Sequence, residues 1–251
     1  IRDSVGSEWI GGRNEIENLD IFQFKIEKLQ KDQHEKIIAG GYLEPRSIYT
    51  SDTYEKIGNY GTENRTIHLG LDFWLPPGTE VSAMFDGEVV TAVNDQGHKE
   101  YGGLVILKHR IEDIEFYTLY GHNTVESVLR NKIGSRVKKG EIIAEIANYP
   151  ENGNWAPHLH FQIMLSMLDH KIDFPGVCYF NQIDVWKDLC PDPNLLFKSK
   201  DLDLDQSSSL QELIKHRKNH LGKSLKLHYE EPLHIISCLL YTSDAADDPT
   251  C

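Results

Sequence analysis

No apolar run in the chain approaches the roughly 18 residues of a bilayer-spanning helix, so no transmembrane helix is expected. Cysteine is scarce, with 4 in 251 residues, and no two have the C-x-x-C spacing of a zinc ribbon or a thioredoxin-type redox pair. Free thiols in a reducing compartment are expected rather than disulfides. Basic residues are in the minority, 26 against 39 acidic, giving a net charge of −13. That balance argues against a surface for nucleic acid or anionic membrane. The chain starts at Ile1 with neither an initiator Met nor a signal-peptide pattern, and it is read as a fragment of a longer protein.

What is present is an ordinary globular composition, 39% hydrophobic and 26% charged. Residues 1–41 read as an N-terminal helical or linker segment at the end of a preceding domain, with a helix expected over 22–39 and a stop at Gly40–Gly41. Residues 42–66 read as loop and short strand. From about 67 to 165 short β-branched or alternating runs recur between turn residues: "EVSAM", "GEVVTAV", "GLVILKH", "IEFYTLY", "EIIAEIA" and "HLHFQI". Such a pattern predicts a mainly β, antiparallel domain flanked by short helical segments. Residues 198–209 read as a linker; its "DLDLD" lacks the Gly and distal Glu of a calcium loop. A helix capped by Ser209 and Glu212 and closed by Gly222 follows.

The chemistry is concentrated in two histidine-bearing strands. In "APHLHFQI", residues 156–163, alternation puts Leu159, Phe161 and Ile163 on one face and His158, His160 and Gln162 on the other. In "TIHLGLDFW", residues 66–74, Ile67, Leu69, Leu71 and Phe73 share a face opposite His68, Gly70, Asp72 and Trp74. Gly70 leaves open space between its polar neighbours. Facing each other, His68, Asp72 and His160 form a three-ligand set suited to zinc with water in the fourth position. His158 can point into such a site without binding metal, and His122 in "TLYGHN" stands at a strand end. Two imidazoles there can serve as general base and as donors to an oxyanion. The same ligand types occur in iron(II) oxygenases, but those pair H-x-D/E, whereas three residues separate His68 from Asp72.

"HLGLD", "YGH" and "PHLHFQI", in this order, resemble the lysostaphin-type zinc metalloendopeptidases over roughly residues 60–165, supported by "PPGTEVSAMFDGEVV" and "GSRVKKGEIIAEIA". The resemblance implies the antiparallel fold called the duplicated hybrid motif. It makes His68, Asp72 and His160 the ligands of one zinc, and His122 and His158 the catalytic pair. It implies cleavage of peptide bonds, in peptidoglycan or next to glycine, over a domain spanning 42–200. The family's G-x-T-G run is replaced here by "NYPENGNWAPH", so Trp155 and a longer 148–157 loop border the cleft. A non-enzymatic zinc-binding or partner-binding module is the alternative expectation.

A second resemblance lies downstream. "LGKSLKLHYEEPLHI", residues 221–235, is similar to the start of a class-III aminotransferase, so 201–236 reads as linker plus its truncated beginning. Some large proteins join a phosphotransferase, a lysostaphin-type domain and such an aminotransferase. The context favours the cytoplasm, and pyridoxal phosphate would be held by a part this chain lacks. Residues 237–251 are similar to translated sequencing-adapter sequence and are set aside as a non-native tail. His98 and His109 read as surface or strand-edge residues and His170 as a candidate neighbour of the site. His216 and His220 read as a solvated helix face; Trp74 and Tyr120 read as packing residues.

Overall fold

The computed structural model describes residues 18–32, 37–46, 49, 54–58 and 61–199. The linker, the capped helix, the aminotransferase-like segment and the tail, with His216, His220, Cys238 and Cys251, lie outside the described residues. The elements in chain order are α1 (Leu19–Asp32), β1 (Ile38–Gly40), β2 (Glu55–Gly58), β3 (Gly61–Asn64), β4 (Ile67–His68), β5 (Leu71–Trp74), β6 (Glu80–Ser82), β7 (Gly87–Asp95) and β8 (Gly102–Ile111). They continue with β9 (Ile114–Asn123), α2 (Val125–Leu129), β10 (Arg136–Val137), β11 (Ile142–Glu145), β12 (Leu159–Met164), β13 (Val177–Cys178), α3 (Ile183–Leu189) and α4 (Asn194–Phe197).

Among the described residues the main sheet has seven strands in the order β1-β5-β12-β9-β8-β7-β10, every pairing antiparallel. The mainly β, antiparallel expectation holds, and the six quoted runs fall on β6, β7, β8, β9, β11 and β12. β12 lies between β5 and β9. Its Phe161 and Ile163 pack with Val89, Val105, Leu107 and Tyr120 against Val81 and Ile143 of the β6–β11 pair and the adjoining Ile146. A buried side chain of this size contributes about 1.5–3 kcal/mol. On the opposite face Leu104, Ile106, Leu119 and Met164 meet Ile67, Leu69 and Phe174. His160 and Gln162 belong to that face, four and two residues before Met164. Both sides of the sheet are thus covered, and β8 reads as a nearly continuous apolar run.

Three expectations need correction. The helix over 22–39 ends at Asp32, and residues 38–40 are a strand. Ile38 and Ala39 pair with Trp74 and Phe73, because β5 would otherwise leave one hydrogen-bonding edge open. The segment 66–74 is two strands, not one: β4 pairs with β13, while β5 pairs with β1 and β12. His109 is buried, not at the surface. It faces the Asp86 carbonyl at 2.9 Å and Thr118 Oγ1 at 2.7 Å. Burial lowers its pKa, keeping the imidazole neutral inside the core.

Candidate metal centre

Sheet register builds the centre. His160 lies directly across from Asp72 on one side and Gly121 on the other. His68 comes from β4, four residues before Asp72, and the chain between the strands brings both side chains to the same point. Gly70 makes the approach feasible: a Cβ there would stand 2.7 Å from Cε1 of His160 and 2.7 Å from the Phe161 carbonyl oxygen. The space that the glycine leaves is filled by the imidazole.

His68 Nε2, His160 Nδ1 and Asp72 Oδ1 converge. The two nitrogens are 2.9 Å apart and lie 3.3 and 3.2 Å from the carboxylate oxygen. The outward nitrogens fix the tautomers. His68 Nδ1 faces the Gly41 carbonyl at 2.8 Å, and a carbonyl can only accept, so this nitrogen carries the proton. His160 Nε2 faces Gln162 Oε1 at 3.0 Å; the Gln162 amide is oriented by donating to the Pro175 carbonyl at 3.2 Å. Each imidazole therefore turns a lone pair inward. Asp72 Oδ1 is buried and accepts no hydrogen bond among the described residues. Three electron-pair donors around one buried point repel each other unless a cation sits among them, so the donor set fits a divalent metal such as zinc.

The charges agree with this arrangement. Burial, followed by the positive Arg46, pulls His68 down to about 3, so its imidazole is neutral. Burial pushes the Asp72 carboxyl up, but the positive Arg46 guanidinium that donates to it helps hold it well below the carboxylate range. Arg46 NH1 donates to Asp72 Oδ2 at 2.6 Å, leaving Oδ1 for the centre. Arg46 was not singled out in the sequence, nor were Gln162, Asn152 and Gly41 as partners of the imidazoles. Arg46 sits in a stretch read as irregular, and no local pattern ties it to a strand 26 residues on.

Two further imidazoles stand beside the ligand set. His158 Nε2 is 3.7 Å from Asp72 Oδ1, and its Nδ1 donates to the Ala156 carbonyl at 2.6 Å. Its ring stacks on Trp74 at 5.8 Å, so Trp74 borders the site and is more than packing. Strict alternation would send His122 to the opposite face with Tyr120. A bulge opposite Leu104 and a left-handed backbone at His122, φ 68°, break the alternation. The His122 ring then lies 4.3 Å from that of His158 and 6.2 Å from that of His160. Its Nδ1 donates to the Asn152 carbonyl at 2.9 Å, a contact made by the 148–157 loop. Burial, first, and the neighbouring imidazoles lower His122 strongly, and burial lowers His158. Trp155 stands edge-on to both rings, and Tyr101 lies 5.6 Å from His122 and 5.4 Å from His160.

The other singled-out residues lie elsewhere. Tyr120 is a core residue bonded to Thr118 and to the Met84 amide. His98 is exposed beside Asn154, and His170 pairs with Asp173 at 3.7 Å and packs on Phe174. Cys178 and Cys190 are buried free thiols.

Comparison with known proteins places this geometry in context. Residues 66–173 match the family model of peptidase family M23, a span that contains His68, Asp72, His122, His158 and His160. The glycyl-glycine endopeptidase ALE-1 of Staphylococcus capitis is 35% identical over 124 residues, covering 48% of this chain and 32% of that protein. The murein hydrolase activator EnvC of Escherichia coli K12 is 35% identical over 94 residues, covering 38% of this chain and 20% of that protein. The chain thus spans a third or less of the length of these curated relatives. Among solved structures, the catalytic domain of lysostaphin from Staphylococcus simulans aligns over 67% of this chain and 97% of its own, at 24% identity and a TM-score of 0.40.

Proposed function

We propose that this chain acts as a zinc-dependent metalloendopeptidase of the lysostaphin type, with His68, Asp72 and His160 holding the metal and His122 and His158 as the catalytic pair. The observation that carries the reading is the inward turn of three lone-pair donors around an unpartnered, buried carboxylate oxygen. Bound there, zinc supplies an activated water at neutral pH and a Lewis acid for the scissile carbonyl. The remaining chemistry falls to the chain. His158, its Nδ1 proton held by Ala156, presents Nε2 as the base that accepts a proton during attack and returns it to the leaving amine. His122, held the same way by Asn152, presents its own Nε2. Once either ring is protonated it donates to the developing oxyanion. Burial keeps both rings neutral beforehand, the state a base requires.

A glycine-rich or peptidoglycan-type peptide is the substrate class we favour, supported by the likeness to a glycyl-glycine endopeptidase. The sheet is read as the duplicated hybrid motif and residues 42–200 as the peptidase unit.

A second reading is a partner-binding module without hydrolysis. It is supported by the likeness to a protein named as a hydrolase activator and by the burial of all five polar side chains. Elemental analysis of the purified chain beside His68→Ala and His160→Ala separates the two. One zinc per chain, lost in both variants, with glycine-rich peptide hydrolysis abolished by His158→Ala, is the expected result. A folded chain with no stoichiometric metal favours the partner-binding module. Retained zinc with hydrolysis indifferent to His158→Ala overturns the mechanism.

A further inference from the structure

Asp72 has two carboxylate oxygens in opposite situations. Among the described residues Oδ1 faces the imidazoles and accepts no hydrogen bond; Oδ2 accepts from Arg46 NH1 at 2.6 Å. Arg46 is itself buried. Its Nε donates to Glu44 Oε2 at 2.8 Å, and its NH1 also lies 3.4 Å from the Tyr49 hydroxyl. The guanidinium is thus clamped on one edge by Glu44 and spends the other on Asp72. Gly41 closes the arrangement. It adopts φ +105°, and a Cβ there would fall 2.1 Å from Arg46 NH2. The same glycine's carbonyl accepts from His68 Nδ1, and its neighbour Gly40 pairs with Asp72 across β1 and β5. Two of the three inward-facing groups are therefore oriented by residues 40–46, which lie outside the span matched by the family model.

We propose that Arg46 is a positioning residue of the metal centre, which holds Asp72 as a one-oxygen ligand and makes residues 40–46 part of the site. The inference rests on the metallopeptidase reading above. Without Arg46, Oδ2 is left buried with no donor, and the carboxylate can rotate or offer both oxygens to the ion. Partners that orient a metal ligand are typically worth 10- to 100-fold in metal affinity. A lysine carries the charge but, as a compact ammonium, cannot bridge Glu44 and Asp72 with a planar fork.

The test uses the full chain with Arg46→Met, Arg46→Lys and Glu44→Gln. Zinc affinity is measured by competition with a chromophoric chelator, and the visible absorption of the cobalt(II)-loaded protein reports ligand geometry. The expected result is a 10- to 100-fold weaker zinc affinity in Arg46→Met with an altered cobalt spectrum. Arg46→Lys should recover part of the affinity, and Glu44→Gln should give a smaller loss. A folded Arg46→Met that matches the parent in both readouts overturns the inference. If Arg46→Met does not fold, a folded Arg46→Lys with parental affinity and an unchanged spectrum overturns it equally. If the parent itself binds no zinc, the metallopeptidase reading falls, and this inference with it. If the parent binds zinc and the variants are indifferent, only the role of Arg46 falls.

Discussion

Gly70 leaves the space that His160 fills: a Cβ on the glycine would stand 2.7 Å from the imidazole Cε1 and 2.8 Å from Nε2. The backbone oxygen of Phe161 closes the same space at 2.7 Å, so the ring cannot yield without moving β12 as well. Gly70→Ala is therefore expected to displace His160 and to lower metal affinity at least about tenfold, while overpacking costs about 1–3 kcal/mol. Metal titration together with thermal melts in chelator checks both. An alanine variant with parental affinity and stability would show that the contact relaxes freely.

Burial of neutral imidazoles makes stability depend on pH. His68 is held at about 3 when folded, against about 6.5 in an unfolded chain, and His122, His158 and His109 shift the same way. The unfolded chain then binds more protons, so the stability these groups confer is complete above about pH 6.5 and falls as pH drops toward 3. Each such proton contributes about 1.4 kcal/mol per pH unit across its window. Asp72, depressed when folded, adds a loss of the same sign below about pH 4. Urea midpoints of the chelator-treated chain at pH 7.5, 6 and 5 should decline in that order; a flat series would contradict the buried, neutral assignment.

His122 and His158 should separate from the ligands in a metal assay. His122→Ala and His158→Ala are expected to keep zinc and lose about 10²- to 10⁴-fold in peptide hydrolysis. His68→Ala and His160→Ala should lose both. The comparison needs metal content and turnover measured on the same preparations.

A chelator should lower the melting temperature of the parent and leave that of His68→Ala unchanged. The shift should grow with zinc concentration, because a ligand present at about 1,000 times its Kd adds about 4.1 kcal/mol to the folded state. A shift that persists in His68→Ala would place the metal elsewhere.

Tyr120→Phe tests a polar chain in the core, away from the centre. The Tyr120 hydroxyl accepts from the Met84 amide at 3.1 Å and lies 3.2 Å from Thr118 Oγ1. Removing it leaves a donor unpaired and should cost about 1–3 kcal/mol of stability with no change in zinc affinity.

Much of this was legible beforehand, for a local reason. Alternation in "HLHFQI" placed Phe161 and Ile163 in the core and His160 on the other face, because side chains in a strand alternate whatever the partner strand is. The metal-ligand candidates could be chosen from residue type and spacing. Where the reading went astray, the missing information was non-local. "EKIIAG" carries helical residues, yet 38–40 joins a sheet because β5 has an open edge. His109 looks like a surface residue, yet the folded β8–β9 pair gives it Asp86 and Thr118 as partners.

The sequence by itself determined the alternation within β12 and the residue types able to bind a metal, since these depend on side-chain chemistry and backbone geometry over a few residues. Only the tertiary structure decided that His160 stands across from Asp72, that a bulge turns His122 toward His158, and that Arg46, 26 residues upstream, takes Asp72 Oδ2. Register, bulges and buried ion pairs are set by pairings between distant segments, whose energies depend on the whole packed fold.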